Sequence, residues 1–392
     1  MIYSGITQGI GGRIVTITSA PGTGPIAGMT ENASRECLVR VRASLANDEI
    51  AEVARVRINV ALTSAVRFEV SGSPDTSSGC DLPVALEALR AAGAPLPADL
   101  LAIGQLSLGG HIRPVRGVLP VLLAGYAQGL RVAVIPDTCV SEAVLAQRAH
   151  PDLRVCVASS VVSAVAQLVS GRFDDFVIPS QPPVDLPTLD DLPDAFEQVR
   201  REVREAVAQR KPLLLIGDKG APITMIVRRI VRLLPPMTAR ERLTVACTAS
   251  AAGLPVHPYM ERPLRAPHHT ASSDAILGSR ALRPGELTLA NHGVLYLDDL
   301  TEFRRSTLDN MGLAIAKGSI SYRRPNEANV EMPTKPYLVA SMTPCPCGVT
   351  ERCVCTTERK VAHYARTLPL LSHFTEVHVP RLTTAEVYPA RT

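Results

Sequence analysis

Residues 213–229, LLLIGDKGAPITMIVRR, join an apolar run, a glycine turn and an amphipathic helical pattern. In that order a strand, loop and helix cradle phosphate when the loop reads G-x-x-x-x-G-K-[ST]. Backbone amides then face the phosphates and the lysine pairs with the β and γ groups. On that template the chain keeps Gly217 and Thr224, but Pro222 stands at the second glycine and Ile223 at the lysine. Proline removes a backbone donor, isoleucine removes the cation, and Asp218 sets a negative charge beside a polyanion. Lys219 and Gly220 remain in the loop. Two readings therefore stand: an ordinary tight turn, or a phosphate loop in which Lys219 swings in for the missing lysine.

A second cluster is Cys345, Cys347, Cys353 and Cys355, spaced C-P-C-x5-C-x-C. Four thiolates this close suit a tetrahedral zinc site, although the spacing is tighter than usual and Pro346 restricts the first pair. The alternative is a loop of reduced thiols. Cys37, Cys80, Cys139, Cys156 and Cys247 are isolated and read as buried apolar residues, and disulfides are not expected in a reducing compartment. A third cluster is basic. KGSISYRR at 317–324 patterns as a β-hairpin, and Lys317, Arg323 and Arg324 there could make sequence-independent contacts to nucleic-acid phosphates. An ordinary solvated hairpin is the other reading. His268 and His269, adjacent in a loop, have no partner at metal-ligand spacing and suit a structural or subunit contact.

The elements that must position these groups alternate between strand and helix periods. RIVTITSA, RVRINVALTS and RVAVIPD read as strands; DLPVALEALRAAG and VLPVLLAGYAQG read as helices with a glycine stop. Residues 178–194 hold five prolines with little periodicity, an extended connector between a domain at 1–177 and a second at 195–392. The second opens on a helix whose Phe196, Val199, Val203 and Val207 share one face. With 392 residues, 46% hydrophobic and 20% charged, the chain is long enough for two real cores. A net charge of +4 does not mark a nucleic-acid binder, and 4% aromatics offer few stacking platforms. No apolar run suits a bilayer, and MIYSGITQGIGG lacks the features of a signal peptide, so a cytoplasmic protein without membrane contact is expected.

Further segments carry a resemblance. RPLRAPHHTASSDAILG at 262–278, PGELTLANHGVLYLDDLTEF at 284–303, VASMTPCPCG at 339–348 and LLPPM at 233–237 resemble the AAA+ module of magnesium-chelatase-like bacterial proteins of the ComM/YifB type. The order and spacing match from about Leu213 to Leu382. RAPHH together with PCPCG is the specific pair. In the first half, GMTENASRECLVRVRASL, SSGCDLPVALEALRAAG and GQLSLGGHIRPVRGVLPVLLA resemble the same family, whose first domain looks like the α/β proteolytic domain of Lon proteases. The implied fold is α/β: a Lon-protease-like domain, of ribosomal-S5-like type, followed by an AAA+ P-loop-type domain.

The resemblance also assigns roles. A Lon-type peptidase needs a serine nucleophile and a lysine base. Here the serine position falls near Gly79, with Ser77, Ser78 and Cys80 close by, and Leu119 takes the lysine's place, so peptidase activity is not expected. In the AAA+ module, Asp298 takes the magnesium position and Asp299 that of the glutamate that polarises water, one methylene short. Thr343 stands at the sensor asparagine and His373 at the finger arginine, with Ser372 before it. A neutral imidazole lacks the charged guanidinium fork, a group worth 10³–10⁵ in rate. Binding of Mg-ATP through Gly217, Lys219, Gly220, Thr224 and Asp298 is expected to be weak or lost, and hydrolysis doubtful. By the resemblance, the sequence to Thr392, soon after VPRL, is expected to hold little of the family's helical lid. The expectation is a degenerate family member in a homo- or hetero-oligomer, including one with an active homologue, linked to DNA processing. A slow ATPase acting on DNA and a zinc-binding interaction module are the alternatives.

Overall fold

The structure is a computed structural model and describes residues 1–56, 66–71, 79–173, 187–323, 329–365 and 374–382. The chain divides into two compact units, Met1–Gln181 with Ala246–Met260, and Pro182–Val245 with Glu261–Thr392. Residues 246–260, which a single cut at the connector would leave in the second domain, thus belong to the first unit.

In the first unit a sheet of six strands runs in the order β3-β2-β1-β4-β7-β8. β1 (Ile2–Gln8), β2 (Gly11–Pro21) and β3 (Val66–Ser71) form an antiparallel meander. β4 (Leu100–Ala102), β7 (Val132–Pro136) and β8 (Arg154–Ala158) continue it in parallel. A small ladder pairs β5 (Gln105–Leu106) with β6 (Ile112–Arg113). Two of the expected strands are present as β2 and β7. The third, RVRINVALTS, lies almost wholly outside the described residues. Both expected helices form, at Asp81–Ala91 and Val118–Ala127. The first is buried nearly all round, with Leu82, Val84, Ala85, Leu86, Ala88 and Leu89 fully shielded. Its buried Asp81 survives because Arg40 Nε donates to it at 2.7 Å and the Leu106 amide at 3.0 Å.

The second unit is built on an all-parallel sheet in the order β10-β11-β14-β9-β15. Its strands are β9 (Leu213–Gly217), β10 (Leu264–Arg265), β11 (Val294–Leu297), β14 (Tyr337–Met342) and β15 (Thr375–Val379). β12 (Ser319–Tyr322) and β13 (Val330–Pro333) form a separate antiparallel hairpin. LLLIG is apolar at every position because helices cover both faces of a parallel sheet. Leu213 and Leu215 join one cluster with Phe196, Val199, Val203, Val207 and Ile226. Leu214 and Ile216 join another with Leu287, Leu295, Leu297 and Met311. The expected α/β class holds for both units.

One expectation needs correction. The proline content of 178–194 predicts an extended connector, yet its described end is packed. Leu189 and Leu192 are buried in the second unit's core, Arg229 Nε donates to the Thr188 carbonyl at 2.8 Å, and Arg204 pairs with Asp190 at 2.5 Å. Leucines at 189 and 192 carry enough apolar area to anchor a proline-rich stretch.

Candidate functional site

β9 sits between β14 and β15, the point at which successive connections run to opposite sides of the sheet, and ligands of open α/β sheets bind outside the carboxyl ends of strands there. Because the strands are parallel, Asp218 after β9, Asp298 after β11, Thr343 after β14 and Arg381 beyond β15 all emerge at that one edge. The fold therefore gathers the glycine loop, both acids, Thr343 and the cysteines.

Asp298 is held by two hydroxyls. Tyr296, two residues earlier on the same face of β11, brings its hydroxyl to 2.7 Å from Asp298 Oδ1, and Ser341 Oγ of β14 lies 2.8 Å from the same oxygen. Tyr296 and Ser341 are themselves 2.9 Å apart. Burial, with Asp298 adding to it, pushes the Tyr296 phenol well above its usual range, so it stays protonated and donates. Thr224 stands in the first turn of the helix Ile223–Ile230 that follows the glycine loop. Asp299 takes a left-handed backbone (φ 55°), gives its amide to Ser341 Oγ at 3.0 Å and accepts from Thr301 Oγ1 at 3.1 Å. A non-glycine residue in that region is strained and persists only where its surroundings hold it.

The glycine loop is bonded to protein groups. The Lys219 amide donates to the Gly348 carbonyl at 2.8 Å, Ala221 to Asp218 O at 2.9 Å, and Ile223 to Ala221 O at 2.8 Å. Pro222 has no amide to give. Asp218 Oδ1 accepts from the Thr350 amide at 2.8 Å and from the Thr350 hydroxyl, and the hydroxyl bond first of all holds its carboxyl below the usual range. Arg381 closes the other side, donating from Nε and Nη2 to the Lys219 carbonyl at 3.2 and 2.5 Å. The Lys219 stem lies across Gly348, where a Cβ would come within 2.6 Å of Lys219 Cε; with φ 79° as well, only glycine fits there.

Gly348 and Thr350 belong to the cysteine loop. The sulfurs of Cys345, Cys347, Cys353 and Cys355 all lie within 4.8 Å of one another. Cys347–Cys353 and Cys345–Cys353 are 3.6 and 3.5 Å apart, close to the ~3.8 Å edge of a tetrahedron with zinc–sulfur bonds of about 2.3 Å, and Cys345–Cys347, at 2.9 Å, would have to open to reach it. Burial pushes the Cys345 thiol up, but hydrogen bonds from Cys347 and Cys353 outweigh it and bring it down to about 6. Cys347, donating to Cys345, is pushed up to about 12. One thiolate is thus already favoured, and the four-sulfur set fits zinc. Thr343 turns toward this loop: its hydroxyl donates to Cys345 O at 3.0 Å, and His363 Nε2 lies 3.0 Å from its carbonyl. The other five cysteines are buried, as expected.

Other expected residues fall elsewhere. Lys317 is exposed at the base of the β12–β13 hairpin, its Nζ 2.8 Å from Ser321 Oγ, and Arg323 is exposed at the turn end of β12; Arg324 lies outside the described residues, as do Ser372 and His373. His268 bonds Thr270 at 2.8 Å and packs on the His269 ring, and Arg265 forms a two-pronged pair with Glu286 at 2.6 Å. In the first unit Cys80 is buried, with its thiol pushed up to about 12 mainly by burial, so it is inert. Ser77 and Ser78 lie outside the described residues. Among the described residues no helix is long and apolar enough to cross a membrane.

Residues 191–387 match the family described as magnesium chelatase, subunit ChlI, and residues 15–139 match subunit ChlI of Mg-chelatase. The competence protein ComM of Haemophilus influenzae is 32% identical over 404 aligned positions, covering 97% of this chain and 76% of that protein. The uncharacterized protein YifB of Escherichia coli is 31% identical over 336, covering 82% and 63%. An uncharacterized protein of Mycobacterium tuberculosis is 30% identical over 373, covering 91% and 72%. This chain belongs to the magnesium-chelatase-like family of ComM/YifB type. It spans less than two thirds of the YifB relative's length.

Seen as a ComM/YifB-type site, the cleft beside the glycine loop has an unexpected charge. It encloses about 780 Å³ and is lined by Glu202, Asp218, Glu351 and Glu376 against His378 and Arg381. No contiguous motif carries this acidity, because its carboxylates come from four separate segments. Tyr296 was accessible to it, since the two-residue strand period sets it on the face of Asp298. Ser341 and Thr350 were not, because only strand pairing and loop packing bring them in.

Proposed function

We propose that this chain is a catalytically degenerate member of the ComM/YifB family, a non-hydrolysing subunit or scaffold in DNA processing. The bonding of the glycine loop carries the proposal. Amides that would face phosphate are given to Gly348, Asp218 and Ala221, and Pro222 and Ile223 supply neither donor nor cation. The adjoining cleft sets four carboxylates against one guanidinium, which repels a triphosphate. Asp299 is a short carboxylate already engaged by Thr301, and the Thr343 hydroxyl is engaged by Cys345. Each loss weakens binding or water activation, and together they leave no route to transition-state stabilisation.

The cysteine cluster would hold zinc as a crosslink within the loop at 345–355, with Cys345, Cys347, Cys353 and Cys355 as its four ligands. The DNA link draws on the ComM relative, a competence protein, and on the cationic hairpin with Lys317 and Arg323. An oligomer in the cytoplasm, with copies of itself or with an active homologue, is the setting such a subunit needs.

The retained Asp298, held by Tyr296 and Ser341, favours a second reading, in which magnesium nucleotide still binds and turns over slowly. Calorimetry with Mg-ATP at about 1 mM separates the two. No heat is expected from the natural chain. Micromolar binding would overturn the degenerate reading. Pro222→Gly with Ile223→Lys restores the template, and binding regained by that variant would show that the loop itself is the defect.

A further inference from the structure

The opposite edge of the second unit's sheet carries a different charge. Arg210 precedes β9, His292 precedes β11 and Lys335 precedes β14, so all three meet at the amino ends of the parallel strands. They open on a cleft of about 610 Å³ that Arg262 also lines. Leu234, Pro235 and Tyr337 supply apolar lining beside the charged groups. Size and lining fall within the usual range for small-ligand pockets, which are mostly apolar with a few fixed polar groups.

Arg262 is held in place. The Arg262 side chain is only 12% exposed; Nε donates to Pro235 O at 2.7 Å and Nη1 to His292 O. Arg210 and His292 both take left-handed backbone, φ 54° and 61°. Two such non-glycine residues on one cleft mark a place where the surroundings impose conformation. Glu241 is the one carboxylate of the lining, and it is shared out. It accepts from the Thr238 amide at 2.9 Å and hydroxyl at 3.2 Å, and stands 3.7 Å from Arg262 Nη2 and 3.4 Å from His292 Nδ1. One carboxylate that also caps a helix start cannot neutralise three permanent cations.

The residual field registers on its neighbours. Burial lowers the proton affinity of Arg262, Arg210 lowers it further, and Glu241 restores only part. Burial likewise lowers His292, with Arg262 and Lys335 adding to it against Glu241. An anion seated among these groups would relieve both.

We propose that this cleft binds a small phosphate-bearing ligand, its anionic group between Arg210, Arg262 and Lys335 and any apolar body against Leu234 and Tyr337. The site is separate from the glycine loop and does not depend on the fate of Mg-ATP. Charge-assisted donors from two guanidiniums suit phosphate oxygens. Phosphate and its esters share that chemistry, and the apolar lining separates them.

The test is an NMR titration of His292 in the full chain, its imidazole signal assigned with His292→Gln. Pyrophosphate, a nucleoside monophosphate and sodium chloride at matched ionic strength are compared at about 10 mM. Either phosphate is expected to raise the pH at which His292 titrates, about tenfold in proton affinity, while chloride leaves it in place. Arg210→Glu with Lys335→Glu, both exposed residues, should abolish the response and leave the signal dispersed as in a folded chain. Tighter binding of the monophosphate than of pyrophosphate assigns an ester with an apolar body; equal or weaker binding assigns the free anion. No response to either phosphate, or one that survives the double charge reversal, overturns the proposal.

Discussion

Glu142 illustrates how a single buried group acquires its chemistry. Its Oε2 accepts from the Leu119 amide at 2.5 Å and from Ser250 Oγ at 2.7 Å. Leu119 stands at the position where the Lon resemblance would place a lysine, so in place of a base the first unit has a carboxyl bound to a backbone amide. Burial raises the Glu142 pKa, and the two hydrogen bonds only partly offset it. The folded chain therefore keeps this proton to higher pH than the unfolded chain does. The associated stability is fully present below the unfolded value, about 4.3, and is lost as pH rises through the folded one. Urea unfolding of Glu142→Gln beside the natural chain is expected to show the variant gaining relative stability as pH rises above that unfolded value, about 4.3. Parallel curves would mean that Glu142 does not titrate in this way.

At the scale of elements, two loops at one sheet edge behave as a single body. The glycine loop after β9 and the cysteine loop after β14 are tied by Lys219 N to Gly348 O, by both Thr350 donors to Asp218, and by the Lys219 stem over Gly348. The span 348–352 that makes these ties is closed at both ends by candidate metal ligands, Cys347 and Cys353. Metal should thus hold the glycine loop in place although it touches none of its residues. A zinc content near one per chain is expected in protein purified without chelator, falling to near zero in Cys353→Ser. Chelation should speed hydrogen exchange of the amides at 218–223 by about tenfold, roughly 1.4 kcal/mol of local stability, and leave β1 and β2 unaffected. A zinc-loaded chain whose exchange ignores chelation would show the loops to be independent.

For the molecule as a whole, the pattern of charge matters more than the total. A net +4 is small, yet the second unit carries an acidic cleft at one sheet edge, a cationic cleft at the other, and a hairpin with exposed Lys317 and Arg323. If the hairpin meets nucleic-acid backbone, binding should weaken with salt. Lys317→Glu with Arg323→Glu should then lower the slope of log K against log salt by about 1.5–2 for duplex DNA, as expected for two lost phosphate contacts. An unchanged slope would remove the hairpin from the interface. Fluorescence anisotropy with a short duplex, from about 50 to 200 mM salt, measures it.

The sequence by itself determined the family, the α/β class, the loss of the lysine and second glycine at 222–223, and the two acids at the end of β11. These depend on local periodicity and contiguous motifs, which survive in one dimension. The four cysteines were legible for the same reason, being close in the chain. Tertiary structure alone decided that Ser341 joins Tyr296 in holding Asp298, that Thr350 occupies Asp218, that Leu189 anchors the connector, and that residues 246–260 join the first unit. It also decided the charge of the two clefts, because each gathers side chains from segments far apart in sequence. Parallel strands bring distant residues to one edge, and no local pattern records which loops then touch.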